Sequence, residues 1–206
     1  MTTYKNPLQQ SEALQRPEVP VFNHEFYSNA YKDGYKIKGN EARLGKGRLN
    51  YLITEYGVWN PDSDYSQAYL GYIDPREFIK GTVVPGGETE VELKNQPLLD
   101  LDRVNNETQT PFLTIDFDNG IIKGHEGRHR LQSFANSGIN RLPVVIRDYS
   151  PNFSKNHAKA RKFSGNIAGQ NYGGIGSGQP IKLESDLIPL NYKNIVDLYR
   201  IFNGEE

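Results

Sequence analysis

The stretch "TPFLTIDFDNGIIKGHEGRHRLQSFANSGINRLPVVI", residues 110–146, decides the fold. Its opening alternates: Phe112, Thr114 and Asp116 fall on one side of a strand, and Leu113, Ile115 and Phe117 on the other. Asp118-Asn119-Gly120 predicts a hairpin, because Asn-Gly suits the positive φ angles of a type I′ turn, and "IIKG" predicts the returning strand. Farther on, Leu131, Phe134 and Ala135 recur at helical spacing, and Ser137-Gly138 predicts the helix stop. "LPVVIRD" is short and β-branched, the pattern of a buried strand. The charged heptad Gly124-His125-Glu126-Gly127-Arg128-His129-Arg130 therefore sits where a strand hands over to a helix N-terminus.

That position gives the heptad its chemistry. A helix N-terminus leaves backbone N–H groups without intrahelical partners and carries partial positive charge. Glycines let such a backbone approach a ligand, and arginine forks match phosphate oxygens. Gly124, Gly127, Arg128 and Arg130 thus form a coherent anion cradle, with His129 able to add a hydrogen bond or a proton. Glu126 suits a polyanion site only if it orients an arginine, holds magnesium or acts as a base. His125 and His129 are four apart, the spacing of two metal ligands on one helix face. His125 is expected before the helix begins, however, and two arginines beside a metal are unfavourable, so no metal site is assigned. A plain solvated turn is the bland alternative, yet a turn needs one glycine and a cap rather than this many donors.

Outward from the heptad, the 206 residues suit one domain with extensions, and 24 basic against 25 acidic residues leave a net charge of −1. That balance argues against a polyelectrolyte that coats nucleic acid. Cysteine is absent, which removes disulfides, thiolate zinc sites and cysteine nucleophiles together. No apolar run approaches a membrane span, and the first twenty residues lack the apolar region of a secretory signal, so a cytoplasmic protein without a membrane partner is expected.

Residues 1–65 show no sustained periodicity and read as an extension wrapping the core, with "GRLNYLITEYGVW" as a short helix or strand. "AYLGYI" predicts a strand, and Asp74-Pro75 a helix start, the aspartate capping and the proline at the first helical position. "GTVVPGGETEVELKNQP" reads as loop. In residues 151–206, "SKNHAKARKFSGNIAGQ" is expected to be helical, "NYGGIGSGQP" a flexible loop, and "NIVDLYRIF" a terminal amphipathic helix. The expected architecture is α+β: a mixed sheet with helices over residues 66–150, flanked by irregular N- and C-terminal extensions.

"TPFLTIDFDNGIIKGHEGRHRLQSFANSGINRLPVVI" resembles the core of the ParB/sulfiredoxin superfamily. Gly127-Arg128-His129-Arg130 falls where ParB-type proteins carry Gly-Glu-Arg-Arg and sulfiredoxins Gly-Cys-His-Arg, and Glu126 to Arg130 is similar to the Asp-Gly-His-His-Arg string of free-serine kinases. "GYIDPREFI" resembles the family's opening strand and helix, so the likeness spans about residues 66–150. It implies a small ParB/sulfiredoxin-like fold that binds ATP or CTP, with Mg2+ as a companion ion, through Gly127, Arg128, His129 and Arg130, Gly124 shaping the loop. Arg128 replaces the sulfiredoxin cysteine, which excludes that reaction, and replaces the ParB glutamate, which argues against the ParB type of CTP hydrolysis. The pattern "GHEGRHR" is similar to ParB-like domains of phage and mobile-element proteins.

The leading expectation is a nucleotide-binding protein that hydrolyses or transfers a phosphate bond, in the manner of an NTPase, kinase or nuclease. Glu126 or His125 would activate the attacking group, while Asp100, Asp102, Asp116 and Asp118 serve either as metal ligands or, more simply, as caps and strand edges. The competing expectation is a non-catalytic phage or plasmid effector that binds DNA or a host or phage protein. There, the basic run Lys155–Lys162 would track a phosphate backbone, and Tyr149, Phe153 and Phe163 would stack on bases.

Overall fold

The computed structural model describes residues 34–56, 68–83, 90–106, 109–151, 161–172 and 175–190. Strands β1 (Tyr35–Lys38) and β2 (Glu41–Leu44) form a hairpin, followed by helix α1 (Lys46–Tyr56), which settles the alternatives for "GRLNYLITEYGVW" as a helix. Strand β3 (Ala68–Ile73) is buried throughout. It leads into α2 (Pro75–Gly81), whose N-cap is Asp74: the carboxylate accepts the Arg76 N–H at 2.8 Å, and Pro75 opens the helix.

Two short helices, α3 (Glu90–Lys94) and α4 (Leu101–Asn106), follow. The first lies in the stretch expected as loop. Asp100 caps the second, accepting the N–H groups of Asp102 and Arg103 at 3.1 and 3.2 Å. Next come β4 (Phe112–Asp116), β5 (Ile121–Glu126), α5 (Arg128–Asn136) and β6 (Leu142–Asp148), the order read from residues 110–148.

The β4–β5 turn differs from the expected type I′. Four residues, 117–120, separate the paired Asp116 and Ile121, and Gly120 alone among them has positive φ, at 61°. The buried Asp116 carboxylate imposes this shape, accepting the Asn119 backbone N–H at 3.0 Å and its side-chain amide at 2.8 Å. A register shift between Thr114 and Ile115 leaves Lys123 as the extra, bulged residue of β5. Helix α5 ends as expected. Gly138 adopts φ 79°, its N–H bonds Ala135 O at 3.1 Å, and Ile139 N–H bonds Phe134 O at 3.0 Å, the paired bonds of a Schellman motif.

Beyond residue 150 the structure corrects the expected helix: Arg161–Ile167 is strand β7. The glycine-rich loop carries a two-stranded ribbon, β8 (Asn171–Tyr172) with β9 (Ile175–Gly176). Strand β10 (Ile181–Pro189) alternates buried and exposed residues along most of its length. The expected terminal helix lies outside the described residues.

The six-stranded sheet runs β5-β4-β6-β3-β10-β7, with β4 and β6 parallel and the other pairs antiparallel. It draws strands from both sides of residue 150. It also curls until its outer strands touch, Ile122 N–H bonding Ala168 O at 3.1 Å and Ala168 N–H bonding Gly120 O at 2.7 Å. Leu70, Leu113, Val145, Ile146 and Leu183 fill the interior with Phe78 of α2 and Phe134 of α5, each such side chain contributing about 1.5–3 kcal/mol. Tyr35 of the first hairpin meets Phe134 edge-on at 5.2 Å. The architecture is α+β, and no helix among the described residues is long and apolar enough to cross a membrane.

Candidate functional site

Gly127 is the hinge of the heptad. Its φ of 95° is a left-handed value that favours glycine, and a Cβ there would stand 2.9 Å from Pro111 Cβ. Gly127 O receives the first helical bond, from Leu131 N–H at 3.0 Å. The strand runs farther than expected: His125 pairs with Leu113 and Glu126 with Phe112. His125 therefore belongs to a strand and His129 to a helix, so the one-face spacing of two metal ligands does not arise. Among the described residues no group of three or more His, Asp or Glu side chains gathers to hold a metal.

The side chains then part company. His125 Nδ1 lies 2.7 Å from Gln170 Oε1, and its ring meets Phe78 edge-to-face at 6.1 Å. Gln170 Nε2 donates to Lys123 O at 3.4 Å, which makes Oε1 the acceptor and gives neutral His125 its proton on Nδ1. Burial holds the His125 imidazole below its usual pKa, helped by Arg128 and opposed by the Gln170 bond and Glu126. The Glu126 carboxylate folds back to accept the Gly127 N–H at 3.0 Å, which sets a negative charge at the start of α5. Arg130 donates to the carbonyl of Gln109.

Two cavities flank the first turn of α5. The smaller, about 320 Å³, is lined by Glu126, Gly127, His129 and Arg130 together with Asp100 and Arg103 of the α4 region. The larger, about 790 Å³, lies between α2, α3 and α5 and receives Arg128. A helix turns about 100° per residue, so Arg128 shares a face with Gln132 and Ala135 while His129 shares one with Ser133. The expected cradle is thus divided: Gly127, His129 and Arg130 line one cavity, Arg128 lines the other, Gly124 lies back in β5 against Thr114, and His125 turns to Gln170.

Around the larger cavity stand Arg76 and Lys80 of α2, Lys94 of α3 and Arg128 of α5, and among the described residues no carboxylate lines it. Arg76 also reaches Asp74 at 3.2 Å and donates to Ala135 O and Ile139 O at 3.3 Å, tying α2 to the end of α5. Lys80 meets Glu77 at 2.7 Å. The wall is fixed by amides: Asn136 Nδ2 donates to Lys94 O and Gln96 O at 3.0 and 2.7 Å, and Asn136 Oδ1 accepts from Gln132 at 2.8 Å. Ile79, Leu93 and Ala135 supply an apolar floor. Arg76, Lys80 and Lys94 carried no expectation from the sequence. The Arg76–Lys80 spacing of four on a capped helix is the signal that could have found those two, whereas Lys94 lies on a separate helix and had none.

Of the four aspartates offered as alternative metal ligands, Asp100, Asp102, Asp116 and Asp118, Asp100 acts as a helix cap and Asp116 as a turn cap. No protein-family model, curated protein or solved structure matches this chain.

Proposed function

We propose that the protein binds a nucleoside triphosphate, ATP or CTP with its Mg2+, in the cavity between α2, α3 and α5, the phosphates lying against Arg128 and its neighbours. One observation carries the reading: four basic side chains from three helices ring a cavity of about 790 Å³, and among the described residues no carboxylate lines it. That volume falls in the range of small-molecule sites, and an apolar floor under a cationic rim suits a base and sugar joined to a polyanion. Asp74 offsets Arg76 only weakly, because that pair is largely solvent-exposed, whereas the half-buried Glu77 offsets Lys80 more and leaves Arg128 and Lys94 as the principal cations. The resemblance of the heptad to the ParB/sulfiredoxin loop supports the same ligand class, and with it a cytoplasmic protein of phage or mobile-element type.

The geometry supports binding more directly than turnover. Glu126 lines the opposite cavity and His125 is engaged with Gln170, so neither candidate base stands on the cationic cavity. DNA or a partner protein draws less support: Phe163, one of the rings offered for base stacking, packs edge-on against Phe117 at 5.3 Å. Calorimetric titration with ATP, CTP and ADP, with and without Mg2+, tests the reading. Binding that weakens steeply with salt is expected, and no heat from the wild type at millimolar nucleotide overturns it.

A further inference from the structure

We infer, building on the nucleotide site proposed above, that Gln132 makes it selective for an amino-bearing base, adenine or cytosine, over an oxo base such as hypoxanthine or uracil. Arg128, Gln132 and Asn136 recur every four residues along α5, so their side chains share the face that lines the larger cavity. The amide orientations on this face are fixed from the backbone outward. Asn136 Nδ2 donates to two backbone carbonyls, which can only accept: Lys94 O at 3.0 Å and Gln96 O at 2.7 Å. Asn136 Oδ1 is therefore the acceptor for Gln132 Nε2, at 2.8 Å, and the Gln132 amide cannot flip without setting oxygen against oxygen. That leaves Gln132 Oε1 as a fixed acceptor. Among the described residues no other hydrogen bond engages this side chain. The residue is only 9 % exposed, yet Oε1 is not sealed off, and the surface it keeps opens on the cavity.

An enclosed acceptor that meets no donor is destabilising, and a ligand that brings a donor to it removes the penalty. Gln132 lies one helical turn beyond Arg128, about 6 Å along the axis, and beside Ala135 of the apolar floor. Phosphates held by Arg128 and Lys94 thus leave the floor and Gln132 to the base. The 6-amino group of adenine and the 4-amino group of cytosine donate without accepting. Hypoxanthine and uracil carry a carbonyl at the same place, which would face Oε1 acceptor to acceptor. Their ring N–H sits one atom to the side, so meeting Oε1 with it shifts the base from its place on the floor.

Calorimetric titration of the full chain with ATP, ITP, CTP, UTP and dATP, and with inorganic tripolyphosphate, tests the role of Gln132. In the wild type ATP is expected to bind about tenfold more tightly than ITP, and CTP than UTP, with dATP close to ATP. In Gln132→Met, which keeps the length of the side chain and drops the acceptor, both ratios should fall to about one, while tripolyphosphate binds as in the wild type. Equal wild-type affinities within each matched pair, a readout that needs no variant, overturn the role of Gln132 and leave the nucleotide site standing. Ratios that survive in Gln132→Met do the same. Weak binding of dATP in place of weak binding of ITP gives Oε1 to the sugar and overturns base selection. Absence of binding by every nucleotide removes the site itself and Gln132 selectivity with it.

Discussion

Arg128 and His129, adjacent in the chain, line different cavities on opposite sides of the first turn of α5. The two substitutions Arg128→Ala and His129→Ala therefore separate the cavities. A lost charge-assisted hydrogen bond is worth about 1.5–3 kcal/mol. Arg128→Ala is expected to weaken triphosphate binding about tenfold or more, and His129→Ala about twofold at most. Calorimetry with ATP and with inorganic tripolyphosphate checks both; the reverse order would move the ligand to the smaller cavity.

Gly178 carries a second prediction. Its position against Gly81 O gives no room for a methyl group, whereas Gly138 at the end of α5 has nothing within 4 Å and only a positive φ to satisfy. Gly178→Ala is expected to cost about 3 kcal/mol and Gly138→Ala about 1 kcal/mol. Thermal melts of the two variants against the wild type should rank them in that order.

The Asp74 cap tests the entry to α2. Asp74→Ala removes the acceptor of the Arg76 N–H and one partner of its guanidinium. A loss of about 1 kcal/mol is expected, a fall of about 2–4 °C in melting temperature. Asp74→Asn, which keeps an acceptor, should recover most of it.

Asp116 sets an acid limb. Hydrogen bonds from Asn119 hold its carboxyl below the usual value, against a desolvation penalty and with help from Lys123. The folded state thus favours the ionised form. The stabilisation is present above the ordinary aspartate pKa and is lost as pH falls through the depressed one. Denaturant midpoints of Asp116→Asn should lie below wild type at neutral pH and approach it under acid conditions, where the wild type alone loses this contribution.

How much of this was legible in the residues varies with distance along the chain. The cap at Asp74-Pro75 and the strand–hairpin–helix–strand run of residues 110–148 are local patterns, and the structure follows them closely. Strand β7 misled because its Lys- and Ala-rich approach favours helix, while its strand state is supplied by pairing with β10 some way downstream. Phe163 helps by laying its ring over Gly165, 3.2 Å from where a Cβ would be. The alternation of Ile181, Leu183 and Leu187 with Lys182, Glu184 and Asp186 is a plain strand signal, but it carries no chemistry to draw the eye. At the site, the position of the heptad was legible and its division was not. Which donors converge depends on the residue at which the helix starts, and the cations that join Arg128 come from α2 and α3.

The central strand β3 is flanked by β6 and β10, and Tyr72 N–H bonds the Ser185 hydroxyl at 2.7 Å across a chain separation of 113 residues. During synthesis the middle of the sheet therefore waits for nearly the whole described chain to emerge. Strand β3 spends that interval with one side unpaired, which makes nascent chains halted before residue 181 the form most prone to wrong pairing and most dependent on chaperones.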